Sequence, residues 1–127
     1  DLPVWMSFVP GMDGNLLNGE SLLDAANLAH SQGAKAVLVS AASLSMITKS
    51  LPNIINGSPI GAKAIVGRYS PPSWKPDFYP NFVDTDEVSP EKYTQEVNNW
   101  LDQGVQIVGG SSGTTPEHIR ALRGMIG

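Results

Sequence analysis

Four short apolar runs punctuate this chain, and each is followed by a segment whose apolar residues recur at helical spacing. The runs are Val4 to Val9, Ala36 to Val39, Ala64 to Val66 and Val105 to Val108. Short, nearly uninterrupted apolar runs of this length are the mark of strands buried on both faces. After the first, Leu22, Leu23, Ala25, Ala26 and Leu28 share one face of a helix near residues 21–32, with Ser21 and Asp24 in a capping-box pattern and Gly33 as a stop. After the second, Leu44, Ile47 and Leu51 predict a helix from about Leu44 to Ser50, and Pro52 opposes its continuation. Ser89-Pro90-Glu91 opens a third helix through Tyr93, Val97 and Leu101 that ends before Gly104, and Thr115-Pro116-Glu117 opens a fourth. Strands alternating with helices predict an α/β fold with a parallel sheet and right-handed crossovers. Gly33-Ala34-Lys35-Ala36-Val37 recurs as Gly61-Ala62-Lys63-Ala64-Ile65, and both copies read as places where a helix ends and a strand begins.

One segment breaks the alternation. Gly67 to Asp86 holds Arg68, Tyr69, Trp74, Phe78, Tyr79 and several prolines, between the third strand and its helix. A loop this long and aromatic is either a contact surface or a surface segment stiffened by proline.

Length and charge narrow the classes. The chain has 127 residues, enough for one domain with its own core. Eight basic and twelve acidic residues give a net charge of −4, which predicts no nucleic-acid or anionic-membrane partner. No run approaches membrane-spanning length and no signal-peptide pattern opens the chain, so the expected compartment is the cytoplasm. The first residue is Asp1 rather than Met, which leaves room for processing or for a longer parent. The chain has no cysteine, which excludes disulfides, thiolate metal sites and cysteine nucleophiles within it.

The candidate chemistry concentrates after the fourth strand. Gly109, Gly110, Ser111, Ser112, Gly113 and Thr114 join that strand to a capped helix, where α/β proteins place their sites. These backbone N–H groups and hydroxyls at a helix N-terminus suit an anion. The same residues also serve a plainer purpose, with glycines shaping a tight turn and hydroxyls capping the helix. His30 and His118 are far apart in sequence, with no acid at helical ligand spacing. Asp84, Asp86 and Glu87 form an acidic turn without the loop pattern of a calcium cage. Arg68 faces a ligand or pairs with Asp86, and Ser7 and Ser40 mark polar strand positions that could face a barrel mouth. Trp5, Trp74 and Trp100 have packing as their first explanation. No dinucleotide fingerprint, phosphate-binding loop or nucleophile elbow is present.

The stretch Gly109-Gly110-Ser111-Ser112-Gly113-Thr114-Thr115-Pro116-Glu117-His118-Ile119 closely resembles the last β/α unit of the homocysteine S-methyltransferase family, which carries Gly-Gly-Cys-Cys-Gly-x-x-Pro-x-His-Ile there. Trp5 to Phe8 with Gly14 to Leu22 resembles the family's fifth strand and the segment after it, and Ala36 to Ala41 its sixth. Tyr69-Ser70-Pro71-Pro72 matches the seventh only loosely. The resemblance implies the C-terminal half of a (β/α)8 barrel, that is, a single half-barrel domain of four β/α units over residues 1–127. Four strands leave two unpaired edges and an uncovered inner face, so the expected state is a homodimer, or a pairing with an N-terminal half. An open flavodoxin-like sheet is the alternative fold.

The family's reaction is methyl transfer to a thiol. It uses a zinc ion held by one thiolate after the sixth strand and two after the eighth. Carried over, the zinc positions are Ala41, or Ala42 if the register shifts by one, together with Ser111 and Ser112. The family also has histidine at position 118, without using it as a ligand. The resemblance therefore implies an S-methyltransferase scaffold whose zinc site has been lost and which is inactive alone. The competing class is a binding or self-assembly module with an anion-binding glycine-rich loop.

Overall fold

The computed structural model describes residues 1–55, 59–66 and 88–127. Four strands alternate with helices: β1 (Trp5–Phe8), α1 (Leu22–Ser31), β2 (Ala36–Ala41), α2 (Leu44–Ser50) running into a 3-10 turn (Leu51–Asn53), β3 (Ile60–Ala64), α3 (Pro90–Asp102), β4 (Ile107–Gly110) and α4 (Pro116–Ile126). The segment Gly67 to Asp86, with Arg68, Trp74, Asp84 and Asp86, lies outside the described residues, as does Glu87.

Local chemistry sets the helix ends. The Ser21, Ser43 and Ser89 hydroxyls accept from the backbone N–H three residues on, at 3.1, 3.3 and 3.2 Å, and Pro90 and Pro116 occupy first-turn positions. At the end of α3, Gly104 takes φ +101°, Gly104 N–H bonds to Leu101 O at 3.0 Å, and Val105 N–H bonds to Trp100 O at 3.0 Å. That pair of bonds needs a left-handed residue at the first position, which favours glycine. The end of α1 repeats the same geometry around Gly33. The sequence echo is therefore misleading: Gly33 stops a helix, whereas Gly61 lies inside β3, and the structural counterpart of Gly33 is Gly104.

The strands form one parallel sheet in the order β1-β2-β3-β4. The order reversal that defines a doubly wound sheet is absent among these four described strands. Each connection steps to the next neighbour in the same direction, so right-handed crossovers place the helices on one face. Val37, Val39 and Ala41 of β2 and Ile60, Ala62 and Ala64 of β3 pack there against Leu22, Ile47, Tyr93, Val97 and Trp100.

Two strands sit off their apolar runs. The third spans Ile60–Ala64 rather than Ala64 to Val66, because pairing with Val37–Ala41 sets its extent and Gly61 and Lys63 hide it from an apolar count. The fourth spans Ile107–Gly110 rather than Val105 to Val108. Val105 is still bound to the end of α3, and the strand runs on into two glycines that pair with Lys63 and Ala64.

The register defines the second face. Ser7, Leu38, Gly61 and Ile107 form one row across the sheet, and Ser40, Lys63 and Gly109 form the next row toward the C-terminal ends. Leu38, Ser40, Lys63, Ile107 and Gly109 are half-buried, whereas the helix-facing residues of β2 and β3 are buried. Trp5 and Met6 on the edge strand are 59% and 42% exposed. Trp100 meets its packing expectation at 0% exposed, while Trp5 has no comparable cover among the described residues.

Candidate functional site at the C-terminal rim

The C-terminal ends of the strands are tied into one rim by backbone bonds. Val66 N–H donates to Ser112 O at 3.0 Å, joining the chain after β3 to the turn after β4. Val88 N–H donates to Val66 O at 3.1 Å, so the two residues that border 67–87 are bound to each other. After β1, the Lys49 ammonium donates to Met12 O at 3.1 Å and Asn53 Nδ2 to Gly14 O at 3.1 Å, which fastens that loop to α2 and the 3-10 turn.

Tyr93 and His118 brace the rim from the helix side. The Tyr93 hydroxyl donates to Gly109 O at 2.5 Å and accepts from Ala64 N–H at 3.5 Å, so it bridges β3 and β4 near their ends. Burial raises its pKa above 10.0. Its ring meets Trp100 and His118 edge-on, at centroid distances of 6.0 and 5.9 Å. His118 is 6% exposed. Its Nδ1 accepts from Thr115 N–H at 3.1 Å, and its Nε2 lies 2.8 Å from Val88 O. A carbonyl only accepts and a backbone N–H only donates, so this geometry assigns the neutral tautomer with the proton on Nε2. The histidine thus joins the start of α4 to the approach to α3. Its place at the third position of a capped helix was the one sequence signal for that role.

The glycine-rich turn is closed largely by its own groups. Thr114 N–H and Oγ1 both donate to Ser111 O, at 3.1 and 2.6 Å. Thr114 folds back over Gly110 so closely that a Cβ there would lie 2.9 Å from Thr114 Cβ. Gly113 takes φ +85°. Ser111 is half-buried, and Ser112 and Gly113 are exposed. At the start of α4, the Thr115 hydroxyl lowers the pKa of the exposed Glu117 carboxyl. The Glu91 backbone N–H and the Ser89 hydroxyl do the same for the exposed Glu91 carboxyl.

The positions singled out by the sequence share this rim. Ala41, Ala64 and Gly110 are register partners in one row, so Ala41 and the Ser111-Ser112 pair are separated by the width of β3. Ala41 and Ala42 are buried, and strand alternation puts Ala41 on the helix-facing side with Val37 and Val39. Ser40 and Ser7 fall on the opposite face. His30 is exposed in the last turn of α1, far from this rim. Sequence reasoning passed over Lys63, whose register with Ser40 and Gly109 puts a cation on the non-helix face.

A profile of the homocysteine S-methyltransferase family matches residues 1–126. The chain belongs to the homocysteine S-methyltransferase family. A search of curated proteins returned no match. The residues onto which the family resemblance carries the zinc ligands do not suit that metal. Ala41 and Ala42 have no donor atom, Ser111 and Ser112 offer protonated hydroxyls, and zinc takes thiolate, imidazole or carboxylate. Among the described residues, no three histidine, cysteine or acidic side chains are grouped to hold a metal.

Proposed function

We propose that this homocysteine S-methyltransferase family chain is a C-terminal half-barrel that keeps the scaffold of the methyl-accepting side but does not transfer methyl groups by itself. One observation carries the reading: Ala41 (or Ala42), Ser111 and Ser112, onto which the family resemblance carries the zinc thiolates, have no thiolate to offer, and they lie at the rim where strands β2 and β4 end. Without a soft, anionic donor there is nothing to hold zinc and lower the pKa of an incoming thiol. The test is methyl transfer to homocysteine from S-methylmethionine with added zinc, together with metal analysis after dialysis. The expected result is no product above the blank and no retained zinc. Stoichiometric zinc or turnover would overturn the reading.

The scaffold reading extends to assembly. Sequential strand order and a half-buried second face are what a barrel segment has before closure. Both lateral ends are apolar and exposed, with Trp5 and Met6 on β1, Leu23 and Leu28 on α1, and Ile119 and Ile126 on α4. Exposed Asp24 accompanies the α1 end, and exposed Arg120 and Arg123 the α4 end, so the two ends complement each other in charge. A second copy would pair its β1 with β4 of the first, and the contact closes after two copies. Sedimentation at micromolar concentration should give twice 13.5 kDa, and a monomer at 100-fold higher concentration would reject closure by a second copy. Among the described residues no helix is long and apolar enough to cross a membrane.

A further inference from the structure

We infer that Asn18 is a site of spontaneous covalent modification, in which its side-chain amide is attacked by the backbone nitrogen of Gly19 and lost as ammonia, and that Glu20 restrains the reaction. Asn18 and Asn56 are the asparagines that precede glycine, and Asn56 lies outside the described residues. A following glycine leaves its own nitrogen unshielded, because no Cβ stands beside it. Asn18, Gly19 and Glu20 are all exposed, in the loop between β1 and α1. Gly19 takes φ +85°, so the backbone turns sharply at the reacting bond.

The turn both prepares the amide and holds it back. Glu20 N–H donates to Asn18 Oδ1 at 3.1 Å, which polarises the amide carbonyl toward attack and meets the oxyanion that forms there. Two contacts oppose the attack. Gly19 N–H donates to Leu16 O at 2.8 Å, so the nucleophile is engaged. Asn18 Nδ2 donates to the Glu20 carboxylate at 2.7 Å, which fixes the side chain in its turn. These bonds lie in an exposed loop, where local opening costs little. Water then suffices for the chemistry. Hydroxide takes the Gly19 N–H proton, and the nitrogen adds to Asn18 Cγ. The Cγ–Nδ2 bond breaks, and Nδ2 leaves as ammonia with a proton from water. Water opens the cyclic imide at either carbonyl, giving aspartate or isoaspartate. The product sets a carboxylate against Glu20 where an N–H had been. Isoaspartate also adds a methylene to the main chain between Leu16 and Glu20, which are paired by Leu16 N–H to Glu20 O at 2.9 Å. Ser21, the cap of α1, follows directly, so the change reaches a helix end. Neither barrel closure nor the methyl-transfer reading enters this assignment.

The test incubates the full chain in mildly alkaline buffer at physiological temperature and maps it over time by trypsin and tandem mass spectrometry. Cleavage after Lys35, Lys49 and Lys63 puts Asn18 and Asn56 in different peptides. The expected result is a growing mass gain at residue 18, of NH2 replaced by OH, with isoaspartate among the products. Asn18→Gln should abolish the gain at that position. Glu20→Ala should raise the rate about two- to tenfold, the range of one hydrogen bond. The wild-type chain unfolded in urea should convert faster than the folded chain, because Gly19 N–H is released as well. A folded chain still intact at residue 18 after the unfolded chain has fully converted would overturn the site. Aspartate without isoaspartate would show direct hydrolysis and overturn the cyclisation. Equal rates for Glu20→Ala and wild type would overturn the restraint. If Glu20→Ala does not fold, equal rates for wild type with and without urea overturn it instead.

Discussion

Removing the Tyr93 hydroxyl isolates the bond that joins β3 to β4. In Tyr93→Phe the ring keeps its place against Trp100 and His118, because only one oxygen is lost. The donor to Gly109 O disappears, and so does the acceptor for Ala64 N–H. Ala64 is buried and Gly109 is half-buried, so solvent replaces the hydroxyl only in part. A neutral hydrogen bond contributes about 1 kcal/mol net, and a buried carbonyl left unpaired costs about 1–3 kcal/mol, so a loss of about 2 kcal/mol is expected. An unfolding entropy of about 2.1 cal/mol/K per residue gives roughly 0.27 kcal/mol/K for a chain this size, and hence a drop of about 7 °C in Tm. The assay is thermal unfolding by circular dichroism, with amide exchange read at Ala64. The pH dependence supplies an independent sign. The folded state raises the Tyr93 pKa, so above pH 10 the unfolded chain loses this proton first, and stability falls as pH climbs through the folded value. The alkaline limb should therefore be steeper for wild type than for Tyr93→Phe, and the gap between them should narrow there. A Tm change below about 2 °C with unchanged exchange at Ala64 would show that the hydroxyl does not link the strands.

Gly110→Ala should cost about 1–3 kcal/mol, since the new methyl meets Thr114 and the turn must open to admit it; denaturant unfolding checks this. Thr48→Val removes the acceptor for the buried Trp100 indole N–H, 2.8 Å away, and should cost about 1–3 kcal/mol, with a change in tryptophan fluorescence. Ser89→Ala removes the cap on Lys92 N–H and should lower stability by about 1 kcal/mol, read by thermal unfolding. Asp13, Glu91 and Glu117 have folded pKa values below their ordinary ones, so their contribution is present above the unfolded value and is lost as pH falls through the folded one. All three are exposed, so the acid limb of a Tm-against-pH curve should slope gently, and Ser89→Ala should flatten it further.

Much of the rim was legible in the chain before any coordinate. Thr115-Pro116-Glu117 starts α4, Ser89-Pro90-Glu91 starts α3, and the glycines after β4 make the turn. The lack of a donor atom at Ala41 and of a thiolate at Ser111 and Ser112 was readable because it rests on residue identity, which no fold changes. The extents of β3 and β4 were not readable, because a strand's limits come from the neighbour it pairs with. Gly61, Lys63, Gly109 and Gly110 have little apolar character, yet each sits in a ladder. The bracing by Tyr93 and His118 was hidden for a related reason. Each joins residues 16 to 30 positions away, and separation in sequence carries no trace of that contact.

By itself, then, the order of residues determined the alternation of strand and helix, the points where helices begin and stop, and the absence of cysteine thiolates. These depend on periodicity, backbone preference and atom inventory, which are local properties. Only the tertiary structure decided that the strands lie in chain order, that Lys63 shares a face with Gly109, and that one phenol spans β3 and β4. Those outcomes come from register and packing, where the free energy belongs to pairs of distant residues rather than to any one of them.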